Sequence, residues 1–345
     1  MVSLVVRSCS VAAVAVGLLF PACAAPVGAT ATTAPVAELD SVPQVSSGRL
    51  GVAILDFQTS KTYHINGKDR FPMQSVFKAM SAVVVMREVD EGKLTLDQEI
   101  PVGPDDISVY WSPIAEEFKG TTQTYTVREL LEKSVGMSDN TAADVLMELT
   151  GGPQAVTQLL KDAGIEGVRV DRYERQFQAE LEGLPPFELG EVINRKAFVE
   201  AAKAVPAEVK RPILERYVAG KDERDTATPL GAVDFLVKLQ EGKLLSAEST
   251  RVLLQIMTDV KTGAGRLKAG LPEGSKLAHK TGTGGDILGV NTATNDIGIA
   301  TLPDGRKFAV AVFLTGSKES EEKRDAIHAD VVRQFVDQLL AEAKE

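Results

Sequence analysis

The chain has 345 residues, of which 44% are hydrophobic and 25% charged, with a formal net charge of −10. This length allows one large domain or two interleaved ones, and the composition excludes disordered and fibrous proteins. The sequence has no long basic run. Nucleic acid and anionic membrane surfaces are therefore not expected as partners.

The amino-terminal residues have the pattern of an export signal. Arg7 precedes an apolar stretch, residues 11–20, which is followed by small residues. Because this stretch is too short to span a bilayer, we predict a signal peptide over residues 1–25 and an exported protein, periplasmic or extracellular, without a membrane span. An uncleaved anchor and a lipid anchor at Cys23 remain alternatives. Cleavage would remove both cysteines, Cys9 and Cys23.

Predicted elements begin after an Ala-, Thr- and Pro-rich linker over residues 26–47. Apolar runs and turn residues predict one strand hairpin near each end of the chain, and helical spacing predicts helices elsewhere. The predicted strands are 49–57, 62–65, 296–302 and 307–315. The predicted helices are 76–89, 126–133, 141–149, 153–163, 232–239 and 324–343.

Strands at both chain ends with helices between them predict an α+β fold. The two ends would form one antiparallel sheet flanked by helices, and the middle of the chain would form an all-helical lobe. We place the domain at residues 48–345, with the α/β lobe at 48–70 and 265–345 and the helical lobe at 71–264. A cleft between two such lobes is a common place for an active site.

Three short motifs occur in order: Ser75-Val76-Phe77-Lys78, Ser138-Asp139-Asn140 and Lys280-Thr281-Gly282. Ser75 opens an apolar helix, where a serine is most often an N-cap. Lys78 follows one turn later on the same face, and burial would favour its neutral form as a base for the hydroxyl. The helix N-terminus also directs N–H groups toward an oxyanion forming at Ser75.

With their flanking segments, these motifs resemble the signature of class A serine β-lactamases and the related penicillin-binding proteins. The similarity covers nearly all of residues 50–340 and is carried by segments 70–78, 126–131, 137–143, 222–229 and 279–284. The resemblance implies hydrolysis of penicillin- or cephalosporin-type β-lactams through a serine acyl-enzyme. The expected partner is this small molecule alone, and the protein is expected to act as a monomer.

The resemblance also implies a role for each matching residue. Ser75 would attack the lactam carbonyl, Lys78 would assist proton removal, and Ser138 would pass a proton to the leaving nitrogen. The residues expected to bind the substrate are Asn140, Lys280, Thr281, Gly282 and Thr283. Asn140 would bind the side-chain amide of the substrate. Lys280 and its neighbouring threonine would bind the substrate carboxylate. The backbone N–H groups of Ser75 and Thr283 would bind the oxyanion.

Glu174 is the residue that would decide whether the acyl-enzyme is hydrolysed or stays stable. Its segment resembles the loop whose glutamate activates the deacylating water, a residue that penicillin-binding proteins lack. Taken alone, Glu174 would be interpreted as a surface residue. The family context favours catalysis, because an arginine and an aspartate at the positions of Arg172 and Asp225 form the salt bridge that closes this loop.

The Ω-type loop, about residues 171–225, departs from the family in two ways. It carries an insertion at about 180–220, with helical spacing over 197–217 that is split at Pro206. This insertion would border the cleft and affect the fit of bulky substrates, or act as a spacer, since long surface insertions cost little entropy. In addition, Gln178 replaces the water-holding asparagine, with the same amide on a longer arm.

Two further residues align with parts of the cleft. Arg266 matches an alternative position for the carboxylate-binding arginine, because the usual position holds Asn295. A solvent-facing arginine is the other interpretation. Trp111 aligns with an aromatic wall at the cleft mouth, or belongs to the core.

No metal, cofactor or disulfide is expected in the site. The three histidines, His64, His279 and His328, lack the spacing of metal ligands, and His279 is interpreted as structural. Gln74 and Gly284 stand where some family members carry two half-cystines.

Two other functions share the nucleophile chemistry. A D-alanyl-D-alanine peptidase would have the same serine and lysine, but Glu174 with Arg172 and Asp225 argues against it. A β-lactam receptor that signals without turnover would need a membrane span, which the sequence does not suggest.

Overall fold

The computed structural model describes residues 36–37 and 45–342 of the chain. The signal peptide predicted for residues 1–25, the lipid anchor considered at Cys23 and most of the linker predicted for residues 26–47 lie outside the described residues. Among the residues that are described, no helix has the length and apolar character needed to cross a membrane.

The secondary structure alternates short strands and helices along the chain. The strands are β1 (Val36–Ala37), β2 (Arg49–Asp56), β3 (Thr62–Ile65), β4 (Phe71–Pro72), β5 (Glu99–Val102), β6 (Gln123–Thr126), β7 (Val168–Arg169), β8 (Thr226–Ala227), β9 (Lys276–Thr283), β10 (Asp286–Ile287), β11 (Val290–Asn291), β12 (Thr294–Thr301) and β13 (Lys307–Thr315). The α-helices are α1 (Phe77–Asp90), α2 (Pro113–Glu117), α3 (Val127–Leu131), α4 (Asn140–Leu149), α5 (Gly152–Asp162), α6 (Glu174–Leu181), α7 (Arg195–Ala204), α8 (Ala207–Val218), α9 (Pro229–Gln240), α10 (Ala247–Thr258) and α11 (Glu321–Glu342). The 3₁₀ turns are Gln74–Val76 and Leu267–Gly270, and a π-helical turn, Glu132–Gly136, continues α3.

Every predicted strand and helix is present, with ends shifted by a few residues. The helical spacing in the insertion corresponds to α7 and α8, which are separated at Pro206 as predicted. Within the Ω-type loop, the helix that begins at Glu174, α6, was not predicted. The reason is a tertiary cap, since the Asp144 carboxylate on α4 accepts hydrogen bonds from the first two N–H groups of α6.

The main sheet has six strands in the order β1-β3-β2-β13-β12-β9. Its neighbours are antiparallel except β1, which pairs parallel with β3. Both chain ends therefore meet in one sheet, and the predicted α+β class is confirmed. The prediction of a linker was wrong at residues 36–37, which pair with the edge of β3 and form a further strand, β1.

Helices cover both faces of the sheet. On β13, Ala311 and Phe313 belong to the larger core with α1 and α9, whereas Val310 and Val312 pack with α11 on the opposite face. Successive side chains of a strand point to opposite faces, so a strand buried on both faces is a continuous apolar run.

The edge strand β9 supports the turn that carries Ser75. A Cβ on Gly282 would lie 2.3 Å from the Met73 carbonyl oxygen, so this close approach requires glycine. Asn295 of β12 pairs with Gly282 and donates to the same Met73 oxygen at 3.1 Å. The sheet therefore fixes the backbone just before the nucleophile.

Candidate active site

A cavity of about 580 Å³ lies beside Ser75. Small-molecule sites have this size. The predicted site residues that line it are Ser75, Trp111, Ser138, Asn140, Gln178, Thr281 and Thr283. Lys78, Glu174 and Lys280 are buried behind this surface.

Ser75 lies in the 3₁₀ turn before α1 and is not its N-cap. That helix begins at Phe77 and has no side-chain cap. Ser75 Oγ lies 3.4 Å from Glu174 Oε1, to which it donates. The preceding residue, Gln74, has a φ of +47°, a left-handed conformation that costs a non-glycine residue about 1 kcal/mol or more.

Lys78 is fully buried, as its apolar helix predicts, but its ammonium lies among oxygen atoms. Lys78 Nζ donates to Asn140 Oδ1 at 2.6 Å and to the Ser138 carbonyl at 2.9 Å, and lies 3.1 Å from Glu174 Oε1. Three acceptors match the three N–H donors of an ammonium group. The polar partners of Lys78 therefore come from outside the apolar helix that carries it.

Glu174 is 1% exposed, so its interpretation as a surface residue is wrong. Its Oε2 accepts a hydrogen bond from Gln178 Nε2 at 2.9 Å. Asp144 holds the backbone at this point, with Oδ1 2.6 Å from the Glu174 nitrogen. Burial raises the pKa of Asp144 to about 6, with nearby Arg175 opposing the rise and Glu174 adding to it.

Sequence reasoning missed Asp144. The available signal was its position four residues after Asn140, because residues i and i+4 share a helix face. Both lie on α4, whose helix was predicted correctly.

Lys280 of β9 contacts Ser138, which lies just before α4. Lys280 Nζ donates to Ser138 Oγ and to the Thr281 carbonyl, each at 2.9 Å. Burial, reinforced by the positive charge of Lys78, holds the pKa of Lys280 well below its usual value. A lysine with a lowered pKa gives up a proton more readily than a solvated lysine does, so Lys280 can resupply the Ser138 oxygen as that oxygen passes on its own proton.

Trp111 forms part of the cavity wall, and its interpretation as a core residue is wrong, since it is 62% exposed. Its indole Nε1 donates to the Met137 carbonyl at 2.8 Å. The backbone N–H of Asn140 donates to the Trp111 carbonyl at 3.0 Å. The aromatic wall is thus attached to the Ser138-Asp139-Asn140 segment.

Arg266 is 3% exposed, so its interpretation as a solvent-facing residue is wrong. Its guanidinium contacts Asp325 Oδ1 at 2.7 Å and the Asn295 carbonyl at 3.0 Å. It lies beside β12 rather than among the residues that line the cavity. A direct contact with substrate stays a prediction. His279 Nδ1 lies 2.9 Å from Asp296 Oδ1 within the sheet.

Arg172 and Asp225 close the loop on which Glu174 is placed. Arg172 Nε lies 2.6 Å from Asp225 Oδ2, and the two side chains are 8% and 9% exposed. Asp225 Oδ1 accepts from the N–H groups of Asp171 and Arg172 at 2.7 and 3.1 Å. The structure therefore contains the ion pair that the family resemblance implies.

Replacing Arg172 with alanine is expected to lower the free energy of unfolding by about 3–5 kcal/mol. The Asp225 carboxylate would stay buried without its cation, and burial already raises its pKa against the effect of Arg172. Urea unfolding at neutral pH measures the change. The control is Arg251→Ala, because Arg251 forms an exposed pair with Glu248, and exposed ion pairs contribute little to stability.

The Arg172→Ala deficit is also expected to shrink at acid pH. Without the cation, the pKa of Asp225 in the folded state rises further above its unfolded value. A raised carboxyl pKa favours the folded state at low pH, and this stability is lost as pH rises through the folded pKa. A deficit of equal size at low and neutral pH would contradict the unpaired charge as its cause.

The insertion packs against the loop and the cleft wall. From α8, Leu214 and Tyr217 form a small core with Phe177 and Leu181 of α6. Glu182, at the start of the insertion, lines the cavity and accepts a hydrogen bond from Tyr110 Oη. The insertion therefore buries apolar side chains and borders the cleft, as predicted, and its effect on the fit of bulky substrates stays a prediction.

Residues 34–339 match the model of the beta-lactamase enzyme family. The curated relatives include beta-lactamase VEB-1 of Pseudomonas aeruginosa, 31% identical over 86% of this chain and 87% of that protein. They also include extended-spectrum beta-lactamase PER-1 of the same organism, 33% identical over 86% of this chain and 84% of that protein.

Solved structures give the same assignment. A beta-lactamase from Chitinophaga pinensis superposes with a TM-score of 0.69 at 32% identity, covering 85% of this chain and 94% of that one. A class A beta-lactamase of the last common ancestor of Gram-negative bacteria gives 0.67 at 36% identity, covering 85% and 95%. The chain belongs to the beta-lactamase enzyme family. Within that family it is a class A serine β-lactamase, a hydrolase.

Proposed function

We propose that this β-lactamase hydrolyses penicillin- and cephalosporin-type antibiotics through an acyl-enzyme on Ser75 that a Glu174-activated water releases. One observation carries the proposal. Ser75 Oγ and Lys78 Nζ lie 3.4 and 3.1 Å from the same carboxylate oxygen, Glu174 Oε1. A nucleophile, an amine and a buried carboxylate in contact are the groups that acylation and deacylation require.

In the first half of the reaction, Lys78 assists removal of the Ser75 proton while Oγ bonds to the lactam carbonyl carbon. The backbone N–H groups of Ser75 and Thr283 stabilise the oxyanion. The carbon–nitrogen bond then breaks, and the nitrogen takes a proton from the Ser138 hydroxyl. Lys280, which donates to Ser138 Oγ, supports this transfer.

Substrate recognition uses the groups around the cavity mouth. Asn140 binds the side-chain amide of the substrate, and Lys280 with Thr281 binds its carboxylate. Gly282 has no side chain, and this lets the Met73 backbone pack closely against β9 just before Ser75. Trp111 forms the aromatic wall, and Arg266 adds positive charge on the carboxylate side.

In the second half, Glu174 removes a proton from the water that attacks the ester carbonyl. Gln178 donates its amide N–H to Glu174 Oε2. The carbonyl oxygen of the Gln178 amide is then left to accept a hydrogen bond from that water. The Arg172–Asp225 pair holds the loop closed over this site.

Mixing the purified protein with an excess of a chromogenic cephalosporin tests the proposal. Sustained turnover is expected, because Glu174 provides a base for deacylation. A single stoichiometric burst would instead support a peptidase or a receptor that stays acylated. Heat-unfolded protein is the control for spontaneous hydrolysis.

We also propose that the mature protein is exported and acts as a monomer. The export proposal rests on the signal-peptide pattern of residues 1–25. Cell fractionation with intact-mass measurement would show the cleaved form in the periplasm or medium, and light scattering would give the mass of one chain.

A further inference from the structure

Tyr217, in the insertion, reaches the residue next to the nucleophile. Its ring is 3% exposed and packs against Phe177 of α6, with ring centroids 5.7 Å apart. Its Oη lies 2.9 Å from Gln74 Nε2. The part of the loop that departs from the family therefore contacts the turn that carries Ser75.

Hydrogen bonds continue from Gln74 to the carboxylate of Glu174. Gln178 Nε2 donates to Glu174 Oε2 at 2.9 Å and to Gln74 Oε1 at 3.5 Å. Together with the contact to Tyr217, these side chains form a series of hydroxyl, amide, amide and carboxylate. We call these four residues the Tyr217 chain.

The charge of Glu174 sets the direction of every hydrogen bond in the Tyr217 chain. An ionised carboxylate only accepts, so Gln178 must present its NH₂ group to it. The second N–H of that group then needs an acceptor, which is the carbonyl oxygen of Gln74. Gln74 in turn directs its own NH₂ group at the oxygen of Tyr217.

This order fixes the orientation of the Gln178 amide. Both of its N–H groups are used within the Tyr217 chain, so its carbonyl oxygen remains for another donor. Gln178 lines the cavity. A Gln74 amide that lost Tyr217 could rotate, and the Gln178 amide would then lose one of the two acceptors that orient it.

We propose that Tyr217 is a positioning residue for deacylation, acting through Gln74 and Gln178 on the water that Glu174 activates. The proposal rests on the proposed function of Glu174. Lys78 Nζ contacts Asn140, the Ser138 carbonyl and Glu174 rather than the outer members of the Tyr217 chain. Acylation should therefore proceed without the tyrosine hydroxyl.

Tyr217→Phe tests the proposal, because it removes the hydroxyl and keeps the ring packed on Phe177. The deacylation rate constant is expected to fall about three- to tenfold, the effect of one neutral hydrogen bond. With deacylation limiting, kcat and KM should fall together while kcat/KM stays unchanged. Quench-flow mass spectrometry during penicillin turnover measures the acylated fraction, which should rise.

Two further variants separate positioning from general damage. Gln74→Met breaks the Tyr217 chain from the other side, and the double variant should be no slower than either single variant, because both remove the same coupling. Tyr125→Phe removes a hydroxyl bonded to Gln123 Oε1 at 2.6 Å, away from the cavity, and should leave kcat and KM unchanged. If Tyr217→Phe fails to fold, Gln74→Met tests the proposal in its place: deacylation should slow while acylation keeps its wild-type rate.

Glu174→Gln, measured in parallel, distinguishes the two proposals. If it accumulates acyl-enzyme while Tyr217→Phe deacylates at the wild-type rate, the positioning role is overturned and the proposed function stands. Equal losses of acylation and deacylation in Tyr217→Phe would also overturn positioning. If Glu174→Gln deacylates at the wild-type rate, both proposals fail.

Discussion

Replacing Ser75 with alanine is expected to abolish the acyl-enzyme and to lower turnover by at least about 10⁴-fold. Losing the nucleophile of a catalytic group that acts as a unit has effects of this order or larger. Ser75 Oγ is the hydroxyl that lies 3.4 Å from Glu174 Oε1 at the cavity surface. Intact-mass measurement after incubation with a penicillin should show no added mass, and the chromogenic assay should show no turnover.

Ser81→Ala is the matched control for Ser75→Ala. Ser81 is buried on α1, which follows the turn that carries Ser75, and it does not line the cavity. Its replacement should leave the penicillin adduct and turnover intact. An adduct of unchanged yield in Ser75→Ala would place the nucleophile on another residue.

Most of the fold could be predicted because its elements have strong local patterns. The hairpin of β12 and β13 consists of two apolar runs across a Pro-Asp-Gly turn, and α11 carries apolar residues at helical spacing. β1 could not be predicted in the same way. Two residues have no periodicity, and their strand exists only because the edge of β3 accepts it.

The residue types of the site follow from the motifs, but their surroundings do not. Lys78 is buried as its helix predicts, yet its oxygen partners come from α4 and α6. The partner of Arg266, Asp325, lies on α11. Such contacts join segments far apart in the sequence, and helical or strand periodicity contains no information about them.

The insertion shows the same division between local and tertiary information. Helical spacing and Pro206 predict α7 and α8, because these are local properties. That α8 would direct Tyr217 at Gln74 depends on the packing of α8 against α6. From the sequence, Gln74 is interpreted only as the replacement of a half-cystine.

Replacing Glu174 with glutamine is expected to convert the enzyme into a long-lived acyl-enzyme. The amide keeps the volume of the side chain but cannot take a proton from water. General-base catalysis contributes about 10²–10⁴-fold, so deacylation should slow by about a thousandfold, or about 4 kcal/mol. Mass spectrometry should show an adduct of one penicillin per chain that persists after the free drug is removed.

Glu188→Gln is the matched control for Glu174→Gln, because Glu188 is an exposed glutamate of the same loop. It should leave the adduct as short-lived as in the wild-type protein. The outcome for Glu174→Gln also tests the assignment of Lys78, whose contacts with Asn140 and the Ser138 carbonyl do not depend on Glu174. If the variant forms no adduct at all, Glu174 is needed to remove the Ser75 proton, and Lys78 is not the base for acylation. Rapid release of the adduct would instead show that another group activates the water.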